Sequence, residues 1–165
     1  MCRRAQTGIS LIEVMIVVAI IGILAVAGVP AFIQYLGNAQ VRNGAEDVSS
    51  AIQRMRLLAV ETNQRLNIDI RPTAVSAATR AGTSVAQRDL PALSRVQLTG
   101  VPLSLEVDGR GSFSADASLD IQPQAGQCRA SGGDVLCLRV RVLAGGAVQV
   151  CDPSLPKENP RSCAA

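Results

Sequence analysis

One carboxylate stands inside a long apolar run near the start of this 165-residue chain, and its chemistry needs an explanation. Glu13 lies five positions after Gly8, and from Val14 to Ile33 no residue carries a charge. On insertion scales a charged side chain at the centre of a membrane helix costs about 2.5–3.5 kcal/mol, and intramembrane charges usually have a partner. Glu13 is therefore an unpaired carboxylate in an apolar segment, which neither an ordinary anchor nor a signal peptide needs.

The cysteines are the second set of reactive side chains. Cys2 lies in a short basic stretch before the apolar run, and the other four, Cys128, Cys137, Cys151 and Cys163, lie near the end of the chain. An even number suits two disulfides in an oxidising compartment, and four cysteines allow three pairings. We favour Cys128–Cys137 and Cys151–Cys163, because each pairs sequence neighbours around a turn. A metal site would need histidine or close Cys-x-x-Cys spacing, and the chain has neither.

The chain offers little material for catalysis. Without histidine there is no Ser-His or Cys-His pair, and no G-x-S-x-G or phosphate-binding loop is present. Four aspartates fall at predicted turns or strand ends, where this residue commonly caps and turns the backbone: Asp108, Asp120, Asp134 and Asp152. We therefore expect neither an enzyme nor a cofactor.

Charge and aromatic content argue against nucleic-acid binding. The net charge is +3, and removal of residues 1–8 leaves 16 − 2 = 14 basic against 13 acidic residues, or +1. That is no basic footprint for a nucleic acid, and three aromatic side chains (Phe32, Tyr35 and Phe113) are too few for base stacking.

The apolar run itself predicts a helix that crosses a membrane. Twenty residues at a rise of about 1.5 Å span about 30 Å, the thickness of the hydrocarbon core. We place this helix at residues 9–33, and the basic Arg3 and Arg4 predict that the chain after Ile33 lies outside the cytoplasm. Two alternatives remain open: an ordinary anchor, or a signal peptide cut near 25–27 that leaves a soluble exported domain starting at Gly28.

The remainder predicts an α+β domain. An apolar stripe at helical spacing continues the helix through residues 34–63, so that one long amphipathic helix spans about 10–62. The spacing then changes to two, which predicts a β-rich head over 64–165. Its helix should pack on a small antiparallel sheet. Residues 72–95 are small and polar without a period, and we expect a mobile surface loop there with a short helical turn. Strands are predicted at Leu66–Arg71, Val96–Thr99, Leu103–Val107, Ser112–Ile121, Val135–Val142 and Ala147–Cys151.

The stretch Gly8-Ile-Ser-Leu-Ile-Glu-Val-Met-Ile-Val resembles the processing site of type IV prepilins and type II secretion pseudopilins. The resemblance implies that residues 1–8 are a leader, that prepilin peptidase cuts after Gly8, and that Ile9 is then methylated. Phenylalanine is the usual first residue, so Ile9 departs from the pattern. Pro30 stands where these proteins often bend the helix.

The resemblance also gives Glu13 a role. In a stacked filament its carboxylate would meet the new amino group of a neighbour's Ile9, and this pairing would set the axial register. The implied partners are other pilins or pseudopilins, the peptidase and an inner-membrane assembly platform. The implied location is a single pass through the bacterial inner membrane with the head in the periplasm, and afterwards the filament.

Three stretches of the second half narrow the resemblance to the GspH/FimT-like minor pilins: 51–68, 105–113 and 146–153. The last is closer to the pilus branch than to the secretion branch, so we expect a minor pilin, with an H-type secretion pseudopilin as the alternative. Some pilus relatives bind DNA through two tail arginines, but Ala147 and Gln149 stand at the matching positions here. Arg139 and Arg141 remain as weak candidates for phosphate contacts.

Overall fold

A computed structural model of the chain describes residues 10–101 and 103–163. The predicted cleavage and methylation site, Gly8 and Ile9, lies outside the described residues. The chain divides into two compact units, residues 1–36 and 37–165. One long helix, α1, runs from Leu11 to Thr62 and contributes to both units.

The first unit contains the apolar half of α1. Every side chain described between residues 10 and 36 is exposed. Among the described residues, α1 is the one helix long and apolar enough to cross a membrane, with a mean hydropathy of 2.8 in its most apolar window. The apolar character of this half therefore has no packing partner within the unit.

The second unit holds the end of α1 and two four-stranded antiparallel sheets. In sheet 1 the strand order is β3-β2-β1-β5, and in sheet 2 it is β4-β6-β7-β8. The strands are β1 (Leu66–Ile70), β2 (Ala74–Thr79), β3 (Ser84–Asp89), β4 (Val96–Thr99), β5 (Leu103–Val107), β6 (Ala117–Pro123), β7 (Leu138–Val142) and β8 (Val148–Cys151). The α+β class is confirmed, but the strands form two sheets where we expected one.

The prediction of a mobile loop at 72–95 is wrong. Strands β2 and β3 form a hairpin there, and only the predicted helical turn is correct, as a 3₁₀ turn at Pro91–Arg95. The alternating pattern was hidden because β2 buries just Val75 and Ala77, while β3 is largely exposed at the edge of sheet 1. Neither strand shows the contrast between apolar and polar faces that a sequence pattern can reveal.

The core of the head forms where the stripe of α1 meets the inner faces of the sheets. The predicted stripe residues are all buried: Ala45, Val48, Ile52, Met55 and Ala59. They share one hydrophobic cluster with Ile68 and Val107 of sheet 1 and with Ile121 and Val140 of sheet 2. The apolar stripe predicted within residues 34–63 therefore packs against the two sheets, as expected of an amphipathic helix.

The helix ends in a left-handed residue that closes its last turn. Asn63 has φ of 49°, its N–H donates to the carbonyl of Val60 at 3.1 Å, and the N–H of Gln64 donates to Ala59 at 3.1 Å. This bond pattern is a Schellman motif, in which asparagine tolerates the conformation that glycine usually supplies. The closure directs the chain out of the helix and into β1.

Candidate functional site

Glu13 lies in the first turn of α1, next to the apolar run. Its backbone N–H donates to the carbonyl of Ser10 at 3.0 Å, and its side chain is exposed. Within residues 10–101 and 103–163 no cation forms an ion pair with Glu13. The partner that the resemblance implies for this carboxylate is thus not found among the described residues.

Pro30 lies inside α1, within the exposed apolar half. Proline has no N–H, so it removes one hydrogen bond of the helix ladder. The helix nevertheless continues through this position to Thr62. The first unit thus presents an exposed apolar helix with a carboxylate near its start and a proline towards its end.

Both disulfides have the connectivity that the sequence favoured. Cys128 pairs with Cys137 across nine residues and a Cα–Cα distance of 5.5 Å, and Cys151 pairs with Cys163 across twelve residues and 5.0 Å. Each bond closes a local loop beside sheet 2. Cys151 is the last residue of β8, so its bond holds the end of the chain against that sheet.

The loop closed by the first disulfide is fastened to the helix through a residue that sequence analysis missed. The side-chain oxygen of Asn38 accepts a 2.9 Å hydrogen bond from the backbone N–H of Leu136. The two residues are 98 positions apart, so no local pattern could have indicated their contact. This bond satisfies the backbone N–H of Leu136, a residue whose side chain is buried.

The β5–β6 connection is fastened to the helix in a similar way. The Nε of Arg56 donates a 2.7 Å hydrogen bond to the carbonyl of Gly111. Gly146, in the turn before β8, lies against the same atoms, because a Cβ at this position would come within 2.4 Å of the Gly111 oxygen. A single arginine therefore joins α1 to two turns, and Gly146 is small for a steric reason.

The two arginines considered for DNA contact both have partners within the head. Arg139 forms an ion pair with Asp120 on the neighbouring strand, with Nε and Oδ1 2.6 Å apart. Arg141 donates from Nη1 to the carbonyl of Cys163 at 3.2 Å. These contacts give the arginines structural roles, one across sheet 2 and the other at the disulfide-bonded tail.

The tail beyond β8 is a compact loop with its own hydrogen bonds. Oδ1 of Asp152 accepts from both the N–H and the hydroxyl of Ser154, at 2.8 and 2.6 Å. The buried hydroxyl of Ser162 donates to the carbonyl of Leu155 at 2.9 Å. These polar groups of the tail are thus used to hold its own shape.

Comparisons with known proteins agree with this geometry. A model described as the prokaryotic N-terminal methylation motif matches residues 3–29. Two curated proteins of Pseudomonas aeruginosa, each named fimbrial protein, are 49% identical over 47 residues, which are 28% of this chain and 30% of each relative. The alignment thus spans less than a third of the length of these relatives.

The head resembles a solved minor pilin in its fold. Two crystal forms of the type IV minor pilin FimU from Pseudomonas aeruginosa PAO1 superpose with TM-scores of 0.55 and 0.51 at 16% sequence identity. They cover 76% and 74% of this chain, and 96% and 98% of the FimU chains. The motif match thus covers the amino-terminal segment, and the superposition shows that the chain shares its fold with this minor pilin.

Proposed function

We propose that this protein is a minor subunit of a type IV pilus-like filament. The observation that carries the proposal is the exposed apolar helix of residues 10–36. Most of it lies within the match to the methylation motif at residues 3–29, and it precedes a head with the fold of a minor pilin. An apolar helix of this length is unfavourable in water and needs lipid or other apolar helices around it. A membrane before assembly, and a bundle of such helices afterwards, would supply both environments.

In this proposal the bond between Gly8 and Ile9 is processed first, and Glu13 then acts during assembly. Prepilin peptidase cuts after Gly8 and methylates Ile9, and the new amino group then lies in apolar surroundings. The carboxylate of Glu13 on an adjacent subunit neutralises that group, because an unpaired buried charge would be strongly unfavourable. The lack of an ion pair for Glu13 among the described residues supports a partner of this kind.

The proposed location follows from charge and disulfides. Arg3 and Arg4 keep the amino-terminal end in the cytoplasm, and the head folds in the periplasm before it enters the filament. The two disulfides support an oxidising compartment for the head. The structural use of both arginines of β7 favours a building role over DNA uptake.

The deciding experiment is to determine the amino terminus of the protein in membranes and in filaments sheared from cells. We expect methylated Ile9 as the first residue in both fractions. A soluble mature form that starts at Gly28 would contradict the proposal and support an exported domain. Components that co-purify with the filament then distinguish a pilus from a type II secretion pseudopilus, because the two assemblies contain different partner proteins.

A further inference from the structure

We propose that the free edge of β8 is a docking site for an extended segment of a neighbouring pilin subunit, which adds to sheet 2 as a further strand. The inference rests on the proposed function, since a filament supplies such a neighbour. Strand addition is a common mode of peptide recognition, in which backbone hydrogen bonds give affinity and alternate side chains give specificity.

The turn before β8 determines which backbone groups point outward. The N–H of Leu143 donates to the carbonyl of Ala147 at 2.8 Å, which makes these residues a hydrogen-bonded pair. In an antiparallel ladder such pairs alternate with non-bonded ones. The register therefore makes Gln149 and Cys151 the hydrogen-bonded partners of β7, and the backbone groups of the residues that alternate with them face away from that strand.

Those outward residues are Val148, Val150 and Asp152, and the backbone groups of Asp152 are already hydrogen-bonded to the tail. The N–H of Asp152 donates to the carbonyl of Arg161 at 2.8 Å, and its carbonyl accepts from Cys163 at 3.4 Å. In the described part of the chain, no hydrogen bond reaches the outward groups of Val148 and Val150. The returning tail thus occupies one end of this edge as an extended segment and leaves the other end open.

The tail cannot continue along β8 itself. In the parallel register of Asp152 and Ser162, the next bonds would use the N–H of Arg161 and the carbonyl of Asn159. The N–H of Arg161 is held by the side-chain oxygen of Asn159 at 3.0 Å, and the carbonyl of Asn159 already accepts from Ser162 at 2.9 Å. A strand from another molecule would therefore begin where the tail stops, in line with the pairing that Asp152 and Ser162 already make.

An apolar groove beside this edge can receive a partner's side chain. It has a volume of about 390 Å³, and Val150 projects into it with 38% of its surface exposed. The groove continues the inner face of sheet 2 past the edge of α1. Its apolar lining consists of Leu136, Leu138, Val150 and Leu155, and Arg42, Glu46, Asp152 and Arg161 surround these. The groove thus fits an apolar residue at alternate positions of the added strand, with polar neighbours at its rim.

Two other edges of the head are protected against such pairing. The edge of β5 is covered, because Val107 bridges Phe113 and the N–H of Ser114 donates to Glu106 at 2.9 Å. The edge strand β3 has a register shift and carries charged residues at 88 and 89. Irregular pairing and charge are the usual devices that prevent strand addition. Strand β8 has neither a charge nor an irregularity between Val148 and Cys151. The same is true of β4 at the other edge of sheet 2, but the apolar groove lies beside β8.

The test uses the full chain in cells that assemble the filament. A photoreactive benzoylphenylalanine replaces Val150, and in a matched control it replaces Val85 of the protected edge β3. We expect crosslinks from position 150 to an extended segment of a pilin subunit, identified by mass spectrometry of the joined peptides, and none from position 85. Crosslinks to no protein, or only to proteins outside the filament, would overturn the inference.

Two substitutions provide an independent measurement. Val150→Pro removes the outward N–H, and Val150→Lys places a charge in the groove without changing the backbone. Each should lower the fraction of the protein in sheared filaments about tenfold, as expected for the loss of a hydrogen-bonded contact. Gln149→Lys, on the opposite face of β8, should change it by less than about twofold. Circular dichroism and the absence of free thiols show whether each head is folded.

The outcomes also separate this inference from the proposed function. If the unmodified protein is missing from filaments, the proposed function fails. If it is present in filaments and the folded Val150→Lys variant enters them as well as the unmodified protein, only the docking site fails.

Discussion

Arg139 and Asp120 face each other on adjacent strands of sheet 2 and form a two-point ion pair. Nε and Nη2 of the arginine donate to Oδ1 and Oδ2 of the aspartate at 2.6 and 2.9 Å. The hydrogen bond with Asp120 raises the pKa of Arg139 above its ordinary value. Because its guanidinium is already matched by a carboxylate, this arginine contributes to the sheet rather than to a phosphate-binding surface.

Breaking this pair should destabilise the head modestly. Both side chains are about one-third exposed, so we expect a coupling free energy of about 0.5–1 kcal/mol in a double-mutant cycle of Arg139→Ala and Asp120→Ala. The control is the pair Arg65 and Glu106, which lies at 3.6 Å and is more exposed, and whose coupling should be close to zero. Chemical denaturation of the full chain in detergent measures both. Equal coupling in the two pairs would contradict the prediction.

Glu13→Gln should prevent assembly without preventing membrane insertion. The amide cannot neutralise an amino group on a neighbouring subunit, so the protein should accumulate in membranes and be reduced at least about tenfold in sheared filaments. Immunoblots of the two fractions measure this distribution. Glu61→Gln, an exposed carboxylate in the last turn of α1, is the matched control and should assemble normally. Normal assembly of Glu13→Gln would refute the proposed charge pairing.

A larger side chain at Gly44 should disturb the close packing of the helix on sheet 2. A Cβ at this position would lie 3.3 Å from Val96 and 3.4 Å from Leu93, whereas nothing lies within 4 Å of a Cβ at Gly37. Gly37→Ala should therefore stabilise the head by about 0.5–1 kcal/mol through helix propensity. Gly44→Val should destabilise it by about 1–3 kcal/mol through overpacking. The free energy of unfolding measures both changes, and a destabilising effect of the same size at Gly37 would rule out the packing explanation.

Removal of the tail disulfide should be costly, and its effect should be local. Cys151→Ser with Cys163→Ser opens a loop of twelve residues, for which the chain-entropy estimate is about 3 kcal/mol. We expect faster amide hydrogen exchange in β8 and the tail, while β1 and β5 retain their protection. The double variant at Cys128 and Cys137 is the comparison, and it should leave the exchange of β8 largely unchanged. Equal loss of protection in both sheets would contradict a local role.

Protonation of Asp108 should make the head less stable in acid. The N–H groups of Ser112 and Arg110 donate to its Oδ1 at 2.8 and 2.9 Å, and the bond from Ser112 is the main reason that the pKa of Asp108 lies below its ordinary value of 3.8. A lowered carboxyl pKa contributes stability above pH 3.8, and this contribution is lost as the pH falls through the value in the folded state.

The acid dependence can be measured with Asp108→Asn, which retains one oxygen acceptor but does not titrate. The free energy of unfolding of this variant should fall less than that of the unmodified protein between about pH 5 and pH 2. Glu158→Gln, an exposed carboxylate of the tail, serves as the control. If Asp108→Asn and the unmodified protein lose the same stability over this interval, the hydrogen bonds do not lower the pKa.

Sequence patterns predicted those parts of the fold in which burial alternates clearly. Strands β4 and β5 have the predicted bounds, β1 ends at Ile70 rather than Arg71, and the helix differs from its predicted range by about one residue at its start. In β1 the buried Leu66, Ile68 and Ile70 alternate with polar residues, so that the period was visible. The pattern is weakest where small residues replace large apolar ones, as in β2.

Strand starts were predicted less well, because long-range contacts occupy residues that look suited to a strand. Strand β6 starts at Ala117 rather than Ser112, since residues 112–114 pair with β5 and the N–H of Phe113 donates to Ala144. Strand β7 starts at Leu138 rather than Val135, since residues 135–137 belong to the disulfide loop and contact Asn38. Such contacts depend on the tertiary fold and leave no local pattern.

Functional residues differ in the same way in whether a local sequence pattern reveals them. The roles proposed for Glu13 and Pro30 rest on an amino-terminal sequence motif, whereas Asn38 and Arg56 could be identified only from the folded chain. Their hydrogen bonds join residues 98 and 55 positions apart.

Both covalent crosslinks lie on one side of the head, which has a practical consequence for making the protein. Sheet 1 contains no cysteine, whereas sheet 2 ends in Cys151 and lies beside the loop closed by Cys128 and Cys137. Protein produced in a reducing cytosol would therefore contain an ordinary helix and sheet 1 together with a loosened β8. Secondary structure measured on such material would resemble that of the oxidised protein, although the surface proposed to meet its neighbour would be altered.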